Sequence, residues 1–115
     1  MKKIITVLPF LAVLLALSLD ISAQGQGNNT QNTSVGFQSL FSNSTGYNNT
    51  AVGFKSLFSN TTGFNNTANG FNSLFYNSTG YDNTANGNDA LHANTTGYLN
   101  TANGSGALIA NTTGS

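Results

Sequence analysis

Five series of identical residues run through this chain at one fixed interval. Gly46, Gly63, Gly80, Gly97 and Gly114 lie 17 residues apart, and so do Gly36, Gly53, Gly70, Gly87 and Gly104. Leu40, Leu57, Leu74, Leu91 and Leu108 keep the same interval, as do Asn43, Asn60, Asn77, Asn94 and Asn111, and Thr33, Thr50, Thr67, Thr84 and Thr101. A period held without one insertion places each unit at the same point of a stacked array. One unit reads NTAVGFKSLFSNTTGFN, from Asn49 to Asn65, and the units open at Asn32, Asn49, Asn66, Asn83 and Asn100.

The unit's chemistry selects among repeat architectures. Two Gly and many Asn and Thr per unit are poor helix formers. A 17-residue unit is also too short for a helical hairpin. The pattern predicts an all-β chain, a β-solenoid or parallel β-roll of five 17-residue coils. Thr50 to Phe54 reads as one strand and Ser56 to Ser59 as another. Asn60 to Gly63 reads as a turn in which Gly supplies a positive φ, and Gly53 as a bend or a close backbone approach. Coils stacked about 4.8 Å apart put identical residues above one another. Asn side chains then share amide hydrogen bonds up the stack, and Tyr47, Phe64, Tyr81 and Tyr98 form an aromatic ladder.

Differences between copies indicate which side points inward. The Ala51 column holds only Ser34, Ala68, Ala85 and Ala102 besides, and the Leu57 column is always Leu, so both read as interior. The Val52 column turns to Asn69, Asn86 and Asn103, the Phe54 column to Asn88 and Ser105, and the Phe58 column to His92 and Ile109. These columns read as outward-facing. The opposite parity, with Val52 inward, is the alternative. On the first reading Phe37, Phe41, Phe54, Phe58, Phe71 and Phe75 make an apolar flank over the first three coils. A flank of that size on a monomer points to burial against another chain.

Charge and leader residues bound the rest. Lys2 and Lys3 precede an apolar run from Ile4 to Leu19, and Ala23 follows as a small residue, the layout of a secretory signal peptide over residues 1–23. Residues 24–31 read as a short linker and residues 32–115 as the repeat domain. Beyond the leader the only charged residues are Lys55, Asp82 and Asp89, with the single His92. That excludes a basic patch for nucleic acid, and no membrane span is expected in the mature chain. There is no Cys, so stability comes from repetition or assembly rather than disulfides.

Units such as GYNNTAVGFKSLFSNTTG resemble the repeats of bacterial surface proteins that end in a tail-fibre, endosialidase-type chaperone. They are also similar to the head repeats of trimeric autotransporter adhesins, where NS-V-A-I-G recurs. The matching stretches are Asn32 to Gly36 and Asn49 to Gly53, with looser matches at Asn66 to Gly70, Asn83 to Gly87 and Asn100 to Gly104. The resemblance covers about Gln31 to Ser115. It implies a left-handed parallel β-roll, three chains side by side, and a place on a cell surface or fibre.

No catalytic, cofactor or metal site is expected. One His and no Cys leave no recurring nucleophile–base pair, and His92 has only Asp82 and Asp89 as nearby acids. The Asn-x-Ser/Thr sequences at Asn43, Asn60, Asn77, Asn94 and Asn111 read as turn residues rather than glycan acceptors. Three functions are compatible with this reading. The first is a secreted or cell-surface structural or adhesive module that trimerises and carries an unidentified surface ligand. The second is a curli-like amyloid fibre subunit, to whose Gly-Asn-x-Ala core the G-F-N-N-T-A pattern is loosely similar. The third is an ice-binding solenoid with Thr33, Thr50, Thr67, Thr84 and Thr101 in a row. A flat ice face usually carries two Thr rows from T-x-T strands, and the other row here, from Thr45 to Thr113, falls in a turn.

Overall fold

A computed structural model describes residues 31–115; the leader assigned to residues 1–23 and nearly all of the linker lie outside the described residues. Five short strands follow one another: β1 (Thr33–Val35), β2 (Thr50–Val52), β3 (Thr67–Asn69), β4 (Thr84–Asn86) and β5 (Thr101–Asn103). They form one parallel sheet in sequence order. Thr33 pairs with Thr50, Thr50 with Thr67, Thr67 with Thr84 and Thr84 with Thr101. Neighbouring strands are therefore one repeat apart, and each repeat is one coil of a parallel β-solenoid. We number the coils 1 to 5 from their opening Asn residues. Parallel strands need a connection of roughly a dozen residues or more, and the residues between successive strands, 36–49 for the first pair, supply it by closing the coil.

The strand is shorter than the sequence predicts, and the second strand is absent. Gly53 takes φ 128°, outside the β region, and ends β2 at Val52. Lys55 and Leu57 then adopt left-handed φ of 53° and 50°. Ser56 to Ser59 is thus a chain of turns, closed by the Ser56 N–H on the Gly53 carbonyl at 3.5 Å and the Asn60 N–H on the Leu57 carbonyl at 3.2 Å. Coil-to-coil pairing nevertheless continues through it. Leu57 N–H donates to Ser73 O and Ser59 N–H to Phe75 O, both at 3.0 Å.

Leu in the left-handed region is costly because Cβ crowds the following carbonyl, by about 1–2 kcal/mol per residue. The chain accepts this in every coil, with Leu40, Leu57, Leu74, Leu91 and Leu108 all at φ 50–52°. The first four are buried, and burying a Leu side chain contributes about 1.5–3 kcal/mol. Hydrophobic burial offsets the strain while a following coil covers the side chain, as coil 2 does for Leu40. On coil 5 Leu108 is 48% exposed. The neighbouring column, Gln38, Lys55, Asn72, Asp89 and Gly106, has the same left-handed backbone without full burial. There the residues drift toward Asn, Asp and Gly, which tolerate it.

The core is narrow. Leu and Ala51, Ala68, Ala85 and Ala102 are joined by buried Ser39, Ser56 and Ser73 and by buried Asn. In coil 1 Ser34 replaces the Ala, and its hydroxyl hydrogen-bonds the Ser39 hydroxyl. Ala51 and Leu57 thus point inward while Val52 and Phe54 are exposed, which removes the opposite parity.

Glycine substitutions separate backbone strain from collision. A Cβ on Gly53 would lie 2.5 Å from the Gly70 carbonyl oxygen, whereas one on Gly104, with a similar φ of 117°, meets nothing within 4 Å. Both Gly53→Ala and Gly104→Ala carry a strain of about 1–3 kcal/mol. Urea denaturation is expected to show the larger loss for Gly53→Ala; equal losses would mean that the close approach of coils is unimportant.

Candidate functional surfaces

Two amide ladders run inside the solenoid. In the first, the unit-opening Asn32, Asn49, Asn66, Asn83 and Asn100 are buried. The Oδ1 of each of the first four accepts the backbone N–H of the Asn one coil on, at 2.8–3.1 Å. In the second, Asn60 Nδ2 donates to Asn43 Oδ1 at 2.8 Å, Asn77 to Asn60 at 2.9 Å, Asn94 to Asn77 at 2.8 Å and Asn111 to Asn94 at 3.0 Å. The ladders meet on one backbone oxygen: Gly63 O accepts from Asn49 Nδ2 at 2.8 Å and from Asn60 Nδ2 at 3.0 Å. Gly46, Gly80 and Gly97 repeat the arrangement.

This geometry corrects the expected role of Gly63. It has no positive φ. A Cβ there would fall inside Asn60 Oδ1 and 2.5 Å from Gly80 O, so what the position requires is room. The interior ladder from Asn32 to Asn100 is missed when the unit-opening Asn is read only as a boundary; its identity in all five copies is the signal that carries it. Asn60, Asn77 and Asn94 are fully buried with their amides engaged, so the folded chain offers no glycan acceptor at these three sequence motifs.

Outside, aromatic rings stack along the axis. Tyr47, Phe64, Tyr81 and Tyr98 form one column, with centroids 4.9–5.0 Å apart and planes within 7°. Phe37, Phe54 and Phe71 form a second, at 5.7 and 5.1 Å. Phe41, Phe58 and Phe75 form a third, at 5.3 and 5.0 Å, continued by the His92 ring 5.2 Å from Phe75. Lys55 Nζ lies 5.3 Å from the Phe54 ring centre and 5.4 Å from that of Phe58, bridging the two Phe columns. The rings of the first coil face solvent most, with Phe37 55% and Phe41 63% exposed, while Phe58, Phe64, Phe75 and Tyr81 are half-buried.

His92 has a structural setting. Its Nδ1 lies 3.3 Å from Asp89 Oδ1 and 3.3 Å from the Asn72 carbonyl, and Tyr76 packs edge-on against its ring. Among the described residues no three His, Cys, Asp or Glu side chains gather as a metal cluster. No helix among them is long and apolar enough to cross a membrane.

The surfaces and ladders define a class, the parallel β-solenoid with one short strand per coil and an amide-filled core. The chain matches no protein-family model, no curated protein and no solved structure.

The interior ladder is expected to carry stability that an exposed one does not. Asn66→Ala removes the acceptor of two Asn83 donors and the amide on Gly80 O. Leaving such buried groups unpaired costs about 1–3 kcal/mol each. Asn86→Ala removes only the exposed bond to Asn103, at a strand residue without a left-handed φ, a surface change expected within about 0.5 kcal/mol of neutral. Chemical denaturation of the two variants checks this, and equal losses would contradict it.

Proposed function

We propose that this chain is an extracellular structural or adhesive module without catalytic activity, secreted or held at a cell surface, which associates with copies of itself through its aromatic flank. The observation that carries the reading is the pair of adjoining Phe columns, in which Phe37, Phe54, Phe71 and Phe41 are exposed and Phe58 and Phe75 half-buried. An apolar patch of this size is the usual mark of a partner surface. A second copy suits it because stacked coils repeat at a spacing of about 4.8 Å, which another copy shares along its whole length. Three copies side by side is the arrangement implied by the resemblance to adhesin head repeats.

The absence of Arg and the near absence of charge favour a dry, shape-matched contact over binding to nucleic acid or anionic lipid. The satisfied interior suits mechanical persistence, since each coil is tied to the next by backbone, amide and ring contacts.

The test is the mass in solution of residues 24–115 by size exclusion with light scattering. A discrete trimer is expected. Phe54→Ser with Phe58→Ser removes two rings, each worth about 1.5–3 kcal/mol if fully buried. Since 1.4 kcal/mol is tenfold, self-association is expected to weaken by at least about tenfold. A folded wild-type monomer would sink the proposal, and a polydisperse species that keeps growing would favour the fibre reading.

A further inference from the structure

The outward face of the strands is accounted for neither by the amide ladders nor by the aromatic flank. Thr33, Thr50, Thr67, Thr84 and Thr101 stand in register on five neighbouring strands. All are exposed or half-exposed. None of their hydroxyls makes a hydrogen bond among the described residues. One neighbouring row behaves differently, since Ser44, Thr61, Ser78 and Thr95 each donate to a carbonyl of the next coil.

Packing does not require Thr at these places. What the fold uses is the backbone N–H, which donates to the Asn carbonyl one coil on, at 2.8 Å, and any residue but Pro supplies that. A β-branched residue suits a strand, yet Val would serve equally, as at Val52. This one holds five Thr in five coils. The Val and Phe columns drift between copies, while the exposed turn row from Thr45 to Thr113 is as constant as this one but lies off the sheet.

A second row lies two residues along each strand: Val35, Val52, Asn69, Asn86 and Asn103, with Asn86 Nδ2 donating to Asn103 Oδ1 at 3.0 Å. The second row is therefore Val and Asn, not the second Thr row of a T-x-T face. Neither row holds a charged residue. The face is a neutral two-dimensional array, about 4.8 Å between rungs and about 6.6 Å between rows, of free hydroxyls, methyls and amides. A soluble small ligand is held by concavity and a few convergent polar groups, which a flat repeated array does not provide. The array fits a partner with a lattice of its own, and ordered water is the neutral lattice whose oxygen spacings lie close to both repeats.

We propose that the Thr face binds ice, with the Thr hydroxyls and methyls and the adjoining Val and Asn side chains holding water in ice-like positions. This stands on the strand face alone and does not depend on association through the Phe columns.

The test is thermal hysteresis and inhibition of ice recrystallisation by the purified chain. The wild type is expected to open a gap between melting and freezing and to shape the crystals. Thr67→Tyr and Thr67→Lys are each expected to remove most of that gap with an unchanged circular dichroism spectrum. Thr62→Tyr, in the exposed turn row, is expected to keep it. A folded wild type with no hysteresis and no recrystallisation inhibition would overturn the proposal, as would equal loss in Thr62→Tyr. Binding to crystalline cellulose or chitin that Thr67→Tyr abolishes, without any effect on ice, would also overturn it and assign the face to a polysaccharide.

Discussion

The fold depends on a carbonyl oxygen that accepts two side-chain amides at once. Gly63 O takes Asn49 Nδ2 from one ladder and Asn60 Nδ2 from the other, and both ladders continue through the coils above and below. A buried amide without partners is costly, whereas a connected network whose members are satisfied rigidifies the interior. This explains how a chain with one large aliphatic core residue per coil holds a single structure. It also explains why the position is Gly, since a side chain would occupy the space in which the Asn amides reach the oxygen. Backbone pairing fixes the height of each coil. The amide ladders fix its closure, because Asn49 at the opening of the coil and Asn60 at the start of the turn both donate to Gly63 O.

A second constraint is the left-handed Leu. The strain of about 1–2 kcal/mol and the burial gain of about 1.5–3 kcal/mol are of similar size, so the turn persists because its side chain has a core to enter. The adjacent left-handed column, from Gln38 to Gly106, lacks a full core contact and has drifted toward residues that carry the conformation more easily. The two columns share a backbone and differ in sequence because they differ in burial. The coil is therefore cooperative in a one-dimensional sense: Leu40, Leu57, Leu74 and Leu91 each have a following coil and are buried, whereas Leu108 on the last coil is 48% exposed.

These relations set what the sequence makes legible. The period fixes the coil, the register and the pairing of identical residues, since any other register would break every ladder together. Variation between copies places Ala51 and Leu57 inside and Val52 and Phe54 outside, because interior columns tolerate only Ala or Ser and Leu. The expected second strand fails for a specific reason. Ser56 to Ser59 has a composition compatible with a short strand, while its true signal lies in the sibling residues of Lys55, namely Asn72, Asp89 and Gly106. Gly63 is invariant for room rather than for φ, and sequence identity alone does not separate the two causes. The Phe columns are legible as outward-facing from the residues that replace them in coils 4 and 5, but the half-burial of Phe58 and Phe75 comes only from the three-dimensional arrangement. What the ladders meet outside the chain is not written in the period at all.

The distribution of those rings gives the solenoid a direction. Coils 1 to 3 carry two Phe each on the flank, while coil 4 carries Asn88 and His92 and coil 5 Ser105 and Ile109. For the self-association proposed here, in-register parallel copies set ring against ring over three coils. A two-fold arrangement about coil 3 sets Phe37 and Phe54 against the partner's polar coils. It would place Lys55 near the partner subunit's Asp89, but an exposed ion pair contributes only about 0–1 kcal/mol, less than the roughly 1.5–3 kcal/mol at stake in each fully buried Phe. A two-fold about coil 2 keeps the rings together but leaves coils 4 and 5 of each copy without a partner. Apolar area therefore outweighs charge, and parallel packing follows from the graded flank. The Thr row, unlike the Phe columns, is uniform from coil 1 to coil 5. That is the pattern for a face meeting a uniform lattice, whereas a graded face suits a partner that must dock in one direction.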